Sequence, residues 1–339
     1  MRLARKTASR EVFEMDSIVL KDFGSFFVDG HEVIVHGQPV RTFVCQDGSE
    51  QTVDLNGQFE AGQMYVEYAR LEQPKAKYPL LMWHGGGLTG VTWGSTPDGR
   101  EGWQSLFLRF GHDVYVSDSV ERGRSSWAMY PQIYRTHPEF TTKEVCWSNF
   151  RMGPVFDEDR AKRVAYKGTQ FPVEYYDEFC KQIVPRWRSM DDWAQQAYND
   201  LVGRFDDGCV IMAHSQGANF AIPAALAHPD KVKALILLEP ARTPDPATTD
   251  FAPIAHIPTL ILWGDFIKVP ELCAWTKLAY FDVYPKYYEL MKKLGAPVDW
   301  IDLPERGIRG NTHLLMMDRN SHEVARAVQE WMTARGLMR

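Results

Sequence analysis

Ala213-His214-Ser215-Gln216-Gly217 sets a serine between an apolar run, Cys209 to Met212, and a segment of helical character from Gln216 to Ala227. A serine on so sharp a strand-to-helix turn projects its hydroxyl above a sheet, where a carbonyl and a base can reach it. The turn needs small residues two before and two after the serine, because the two backbones approach closely. Ala213 and Gly217 meet that need, although glycine is the usual first residue. A second apolar run, Pro79 to Trp83, ends in His84-Gly85-Gly86-Gly87. Glycines there let backbone N–H groups aim at one point, as the oxyanion of an acyl transfer requires. The N–H groups of Gly86 and Gln216 are the expected pair.

A nucleophile of this kind needs a base and an acid. Two histidines follow the last expected strand. His313 stands in Gly310-Asn311-Thr312-His313, and His322 in the first turn of the final helix. Val324, Ala325, Val328 and Trp331 mark that helix's buried face, and His322 points away from it. His313 is therefore the expected base and His322 a solvated residue, while His214 and His84 are expected to pack locally. For the acid, Glu239 closes the run Ala234 to Leu238, and Asp265 stands one residue past Gly264. A carboxylate leaving a buried strand is costly unless paired. That favours Glu239, with Asp265 as the alternative. Asp118 with Arg122-Gly123-Arg124-Ser125 reads as a structural turn.

The elements that position these residues follow from the apolar pattern. Cys209 to Met212, Ala234 to Leu238 and Thr259 to Trp263 are apolar on both sides of the alternation, as in strands of a parallel sheet covered by helices. Asp113 to Val116 and Val298 to Ile301 add strands. Trp103 to Phe110, Glu271 to Leu294 with a break at Pro285, and Ser321 to Trp331 with Ser321 as N-cap read as helices. The expected fold class is α/β, a doubly wound, mostly parallel sheet. The first 60 residues read as an N-terminal extension of short strands (Ser25 to Val28, Glu32 to Val35, Arg41 to Val44) and hairpin turns, with His31 and His36 on its surface. Between Trp127 and Trp193 stand 14 of the chain's 43 aromatic residues. That density, with many polar and proline residues, reads as a cap, 127–193, inserted over the carboxyl edge of a core formed by 1–126 and 194–339. Plain core is the alternative for this stretch.

Composition narrows the functional classes. At 339 residues the chain suits one large domain or two, at about 150 residues each. A net charge of −6 argues against a nucleic-acid partner held by phosphate contacts. No apolar stretch reaches the length of a membrane span. Cys45, Cys146, Cys180, Cys209 and Cys273 are odd in number and widely spaced, so neither a disulfide framework nor a zinc site is expected. His31 and His36 are five apart, not four as H-E-x-x-H requires. No nucleotide-binding glycine motif occurs, and no metal or organic cofactor is expected. Arg2, Arg5, Lys6 and Arg10 open the chain with no apolar stretch behind them. The expectation is no secretory signal in the chain as given and a cytoplasmic location. A homodimer is left open.

These residues together resemble the α/β-hydrolase superfamily. More closely, the chain is similar to a small bacterial esterase family typified by an Alcaligenes esterase. The matching pieces include Gly24-Ser25-Phe26-Phe27-Val28, Gln63-Met64-Tyr65-Val66, Leu88-Thr89-Gly90-Val91-Thr92-Trp93, Thr96-Pro97-Asp98-Gly99-Arg100 and Asp318-Arg319-Asn320, beside the serine, glutamate and histidine motifs. In most α/β-hydrolases the acid stands three residues past a glycine after the strand that here ends at Trp263. That spacing falls on Ile267, which cannot hold an imidazolium. The esterase resemblance implies instead a Ser-His-Glu triad on Ser215, His313 and Glu239. Two departures are visible: Gly86 and Gly87 stand where family members carry adjacent cysteines, and the family member is secreted. The expected function is hydrolysis of small carboxylic esters or lactones through an acyl-enzyme on Ser215. A C–C bond hydrolase or acyltransferase of the same fold and a non-catalytic, ligand-binding hydrolase-like protein are the alternatives.

Overall fold

Residues 17–339 are described by the computed structural model; the opening basic residues Arg2, Arg5, Lys6 and Arg10 lie outside them. The strands are β1 (Leu20–Val28), β2 (His31–Val35), β3 (Arg41–Val44), β4 (Glu50–Val53), β5 (Gly57–Ala61) and β6 (Met64–Leu71). Then come β7 (Leu80–Trp83), β8 (Val114–Asp118), β9 (Cys209–His214), β10 (Val232–Leu238), β11 (Thr259–Trp263) and β12 (Val298–Asp302). The helices are α1 (Trp103–Phe110), α2 (Lys143–Asn149), α3 (Tyr176–Phe179), α4 (Asp191–Gly203), α5 (Gly217–Ala227), α6 (Ala274–Leu278), α7 (Tyr284–Lys293) and α8 (Ser321–Ala334).

One sheet runs in the order β1-β6-β8-β7-β9-β10-β11-β12. From β8 to β12 every pairing is parallel, while β6 pairs antiparallel with β8 and with β1. The strands β7, β9 and β11 are buried at every residue. Their Leu, Ile, Val and Met side chains therefore pack on both faces, which is why they show no polar alternation. Because β7, β9, β10, β11 and β12 point the same way, their carboxyl ends lie along one edge. Register brings the key loops level there: Trp83 pairs with Ala213, and Leu238 pairs with both His214 and Leu262.

Several local expectations are corrected. The first strand, β1, belongs to the edge of the main sheet and not to a separate hairpin. The ribbon ahead of β6 holds two further strands, β4 and β5, pairing with β3 and β2. Residues of β3 and β4 are almost all exposed, so no buried face imposes an alternation that could mark them. Histidine 31 is not a bare surface residue; its ring packs 4.8 Å from that of Trp193. The long helix breaks earlier than Pro285, through a π-helical stretch at Ala279–Val283, and Pro285 opens α7 instead. A proline lacks an N–H and fits the first turn, where none is needed. Ser321 is the first helical residue, not the cap; Asn320 holds that place. The expected cap boundary at Trp193 falls inside α4, which begins at Asp191.

Candidate active site

The turn after β9 has the strain expected of an exposed nucleophile. Ser215 has a φ of +53°, unusual for a residue with a side chain. Its N–H donates to the Leu238 carbonyl at 2.9 Å, and its carbonyl accepts from the Ala241 N–H at 3.1 Å. The backbone is thus held from the neighbouring strand while the side chain faces a cleft of about 330 Å³. Gly217 is required here: a Cβ on it would stand 2.9 Å from the Trp83 carbonyl oxygen and 3.0 Å from that of His84.

The loop after β7 lies against this turn. A Cβ on Gly85 would meet His214 Nδ1 at 2.8 Å, and one on Gly86 would meet Gln216 Oε1 at 3.1 Å. His84 fixes the loop. Its Nδ1 pairs with the Gly85 carbonyl at 2.8 Å and its Nε2 accepts from the Ser119 N–H at 3.0 Å. Burial and the nearby Arg122 push its pKa down to about 4, so the ring is neutral, as this pairing requires. Among the described residues, neither the Gly86 nor the Gln216 N–H is committed to another acceptor. Two donors beside the serine hydroxyl are what an oxyanion would need.

His313 and Glu239 meet beside the carboxyl ends of the strands. His313 is fully buried, and its Nδ1 lies 3.2 Å from Glu239 Oε2. The ring is stacked on Phe150 at 5.4 Å and bounded by Trp275 at 5.0 Å and His214 at 4.6 Å. Asp318 shapes its loop by accepting from the Thr312 N–H, the Thr312 hydroxyl and Asn311 Nδ2. His313 Nε2 is buried with no hydrogen-bond partner. No hydrogen bond joins the serine hydroxyl to Nε2. Asp265 is spoken for elsewhere: its carboxylate accepts from the N–H groups of Phe266 at 2.8 Å and Gly310 at 3.0 Å. Ile267 is buried in the core. His322 stays on the half-buried first turn of α8.

A scan against protein-family models finds no match. Among solved structures, "The Atomic Resolution Structure of a Novel Bacterial Esterase" superposes with a TM-score of 0.80 at 29% identity, covering 95% of this chain and 98% of that one. The chain has the α/β-hydrolase fold. Among curated proteins, this hydrolase is 26% identical to the "Probable secreted lipase phiG" of Fungal sp. (strain ATCC 74256), over 84% of its own length and 90% of the relative's.

One residue of the hydrolase site escaped the sequence reading. Arg151, just past α2 in the insert, is 1% exposed and has a φ of +59°. Its Nη2 donates to Glu239 Oε1 at 2.5 Å, and its Nε donates to the Asp265 carbonyl at 2.9 Å. Glu239 Oε1 also accepts from the Gly264 N–H at 2.5 Å. The carboxylate thus has a cation and an N–H on one oxygen and an imidazole on the other. Burial works to raise its pKa, but the Arg151 charge and the His313 hydrogen bond outweigh that and hold it at about 2. Glu239 itself has a φ of +49°. Backbone strain at Ser215, Glu239 and Arg151 together marks one over-determined site. The signal for Arg151 was faint: an arginine in an aromatic stretch has no motif.

The insert contributes less aromatic lining than its composition implied. Trp147, Phe171, Tyr176 and Phe179 are buried against one another edge to face, within the core cluster that also takes in Leu80, Leu238 and Leu314. Of the insert's aromatics only Phe150 lines the cleft over Ser215; its other lining residues include Thr141, Asn149, Arg186 and Arg188. Val184 ties residues 127–193 to the loop after β7, its N–H donating to the Gly87 carbonyl at 2.9 Å. The turn at Asp118 is a brace, with its carboxylate accepting from the N–H groups of Gly90 and Arg124. Arg122 reaches further and donates to Gln216 Oε1 at 3.2 Å.

Proposed function

We propose that the chain hydrolyses carboxylic esters, lactones being the cyclic case, with Ser215 as nucleophile. The observation that carries this reading is the convergence of a strained, cleft-facing serine, a buried His313–Glu239 pair and two uncommitted N–H groups on one sheet edge. Ser215 Oγ attacks the carbonyl carbon as His313 Nε2 takes its proton. The carbonyl π pair moves to oxygen, and that oxyanion is held by the Gly86 and Gln216 N–H groups. The pair returns, the C–O bond to the alcohol breaks, and His313 protonates the leaving oxygen. Water, deprotonated by His313, attacks the acyl-enzyme and releases the acid. Glu239 fixes the imidazole through Nδ1 and stabilises its charged form. The test is a pre-steady-state burst on p-nitrophenyl butyrate equal to the enzyme concentration. Hydrolysis with no covalent acyl adduct on trapping would overturn the acyl-enzyme.

The pH profile follows from the site's charges. Burial disfavours the His313 imidazolium, Glu239 favours it, and Arg151 opposes it; the result lies below the ordinary histidine value. His214 is neutral, since burial and the neighbouring His313 hold it far down. The base works only when deprotonated. Activity should therefore rise with pH through a midpoint below about 6.5 and stay level into the neutral range. Arg151→Met removes the cation that opposes imidazolium, so the midpoint should move to higher pH; Arg151→Lys should leave it near its original place. The measurement is kcat/KM against pH for the three proteins. A wild-type midpoint above the ordinary value would contradict the assignment.

A further inference from the structure

The cleft over Ser215 is charged in an unbalanced way. Arg186, Arg188 and Arg242 line it together with Glu139 and Asp191. Arg188 Nε bonds Glu139 at 2.6 Å, and Arg186 Nη2 bonds Asp191 at 3.3 Å. Among the described residues, the Arg242 side chain has no hydrogen bond or ion pair. One cation is therefore left over in the cleft of a chain whose net charge is −6.

Two of these arginines, Arg242 and Arg186, are held by their backbones. Ala241 donates its N–H to the Ser215 carbonyl, and buried Tyr284 donates its hydroxyl to the Arg242 carbonyl at 2.8 Å. Arg242 is thus anchored on both sides while its guanidinium is free. Arg186 exchanges two backbone hydrogen bonds with Glu139, at 2.7 and 3.1 Å. Its Nη1 lies 3.7 Å from where a Cβ on Gly86 would stand, beside the oxyanion loop. Its Nε is buried without a partner. A guanidinium with an idle N–H offers a fork that suits a carboxylate, and a neutral alkyl chain would leave that donor unsatisfied. Phe150, Ile183, Trp275 and Leu278 supply apolar lining.

We propose that the ester taken by this site carries a free carboxylate on a short apolar spacer, bound by Arg242 and Arg186 while Ser215 attacks the ester carbonyl. This rests on the ester-hydrolase reading and names its substrate class: half-esters of dicarboxylic acids, or hydroxy acids acylated on the hydroxyl. The carboxylate end takes no part in bond making; it orients the substrate and displaces water from the two guanidinium groups.

The test compares monoethyl adipate with ethyl hexanoate, which has the same acyl length and no charge, by proton release in a pH-stat. A charge-assisted contact of this kind should favour the half-ester by about ten- to a hundredfold in kcat/KM. The preference should shrink as salt is raised, since the cleft mouth is open to solvent. In Arg242→Gln, and in Arg186→Gln, the ratio between the two substrates should collapse towards one. Arg242 is exposed, so its substitution leaves the core untouched, and the salt series on the wild type needs no variant at all. Turnover of ethyl hexanoate with no preference for the half-ester overturns the carboxylate site and leaves the hydrolase reading standing. Equal loss on both substrates in Arg186→Gln, with the ratio kept, overturns the role of Arg186 and assigns it to the oxyanion. Silence on both esters and on p-nitrophenyl butyrate overturns the hydrolase reading itself.

Discussion

Ser215→Ala should abolish turnover, lowering kcat by on the order of 10⁶-fold, the scale of loss when a triad enzyme is deprived of its nucleophile. What survives would come from binding and from the two N–H donors at Gly86 and Gln216, which the substitution leaves in place. The protein should fold as before. The residue at this turn is held by the Leu238 carbonyl and the Ala241 N–H through its backbone alone, and alanine can make both bonds. A fluorophosphonate should label the wild type once, at Ser215, because this serine sits strained on its turn and faces the cleft. Mapping the adduct by mass spectrometry checks the assignment directly. An adduct on another serine, or labelling that persists in Ser215→Ala, would remove the nucleophile from β9.

The fold was legible in the sequence where buried strands end in loops. Runs such as Cys209 to Met212 and Thr259 to Trp263 are apolar on both faces because helices cover both, and their order fixed a parallel sheet with one reactive edge. Glu239 was legible because it directly follows such a run, and His313 because it stands in the loop between the last strand and the last helix. Arg151 was not, since its partners lie 88 and 114 residues further along the chain and nothing local marks an arginine that will be buried against a carboxylate. The aromatic content of residues 127–193 was misread in detail. These aromatics were expected over the substrate, but rings in a segment without a sheet of its own must first bury one another, as Trp147, Tyr176 and Phe179 do. That leaves the polar residues of the insert to face the cleft. The exposed ribbon of β3 and β4 was hidden for the opposite reason, having no buried face to pattern it.

Glu239→Gln should lower kcat by about 10⁴-fold, as loss of the triad carboxylate does in a serine protease. The amide keeps the shape but can present its NH₂ to His313 Nδ1, which selects the wrong tautomer for accepting a proton from Ser215. Asp265→Asn should cost far less. Its carboxylate only accepts from the Phe266 and Gly310 N–H groups, and one amide oxygen can keep part of that. Stability must be separated from chemistry, because Glu239 is also the partner of Arg151, and both are buried. Removing one member of a buried ion pair typically costs about 3–5 kcal/mol, since the other charge is left uncompensated. Glu239→Gln should therefore melt well below the wild type. The double variant Glu239→Gln/Arg151→Met removes both charges and should recover much of that stability without recovering activity. If turnover returned together with stability, the carboxylate would be acting only as a structural anchor for the insert. If Asp265→Asn were instead the inactive protein, the acid would lie at the end of β11. The 3.2 Å approach of Glu239 to His313 would then be a packing contact.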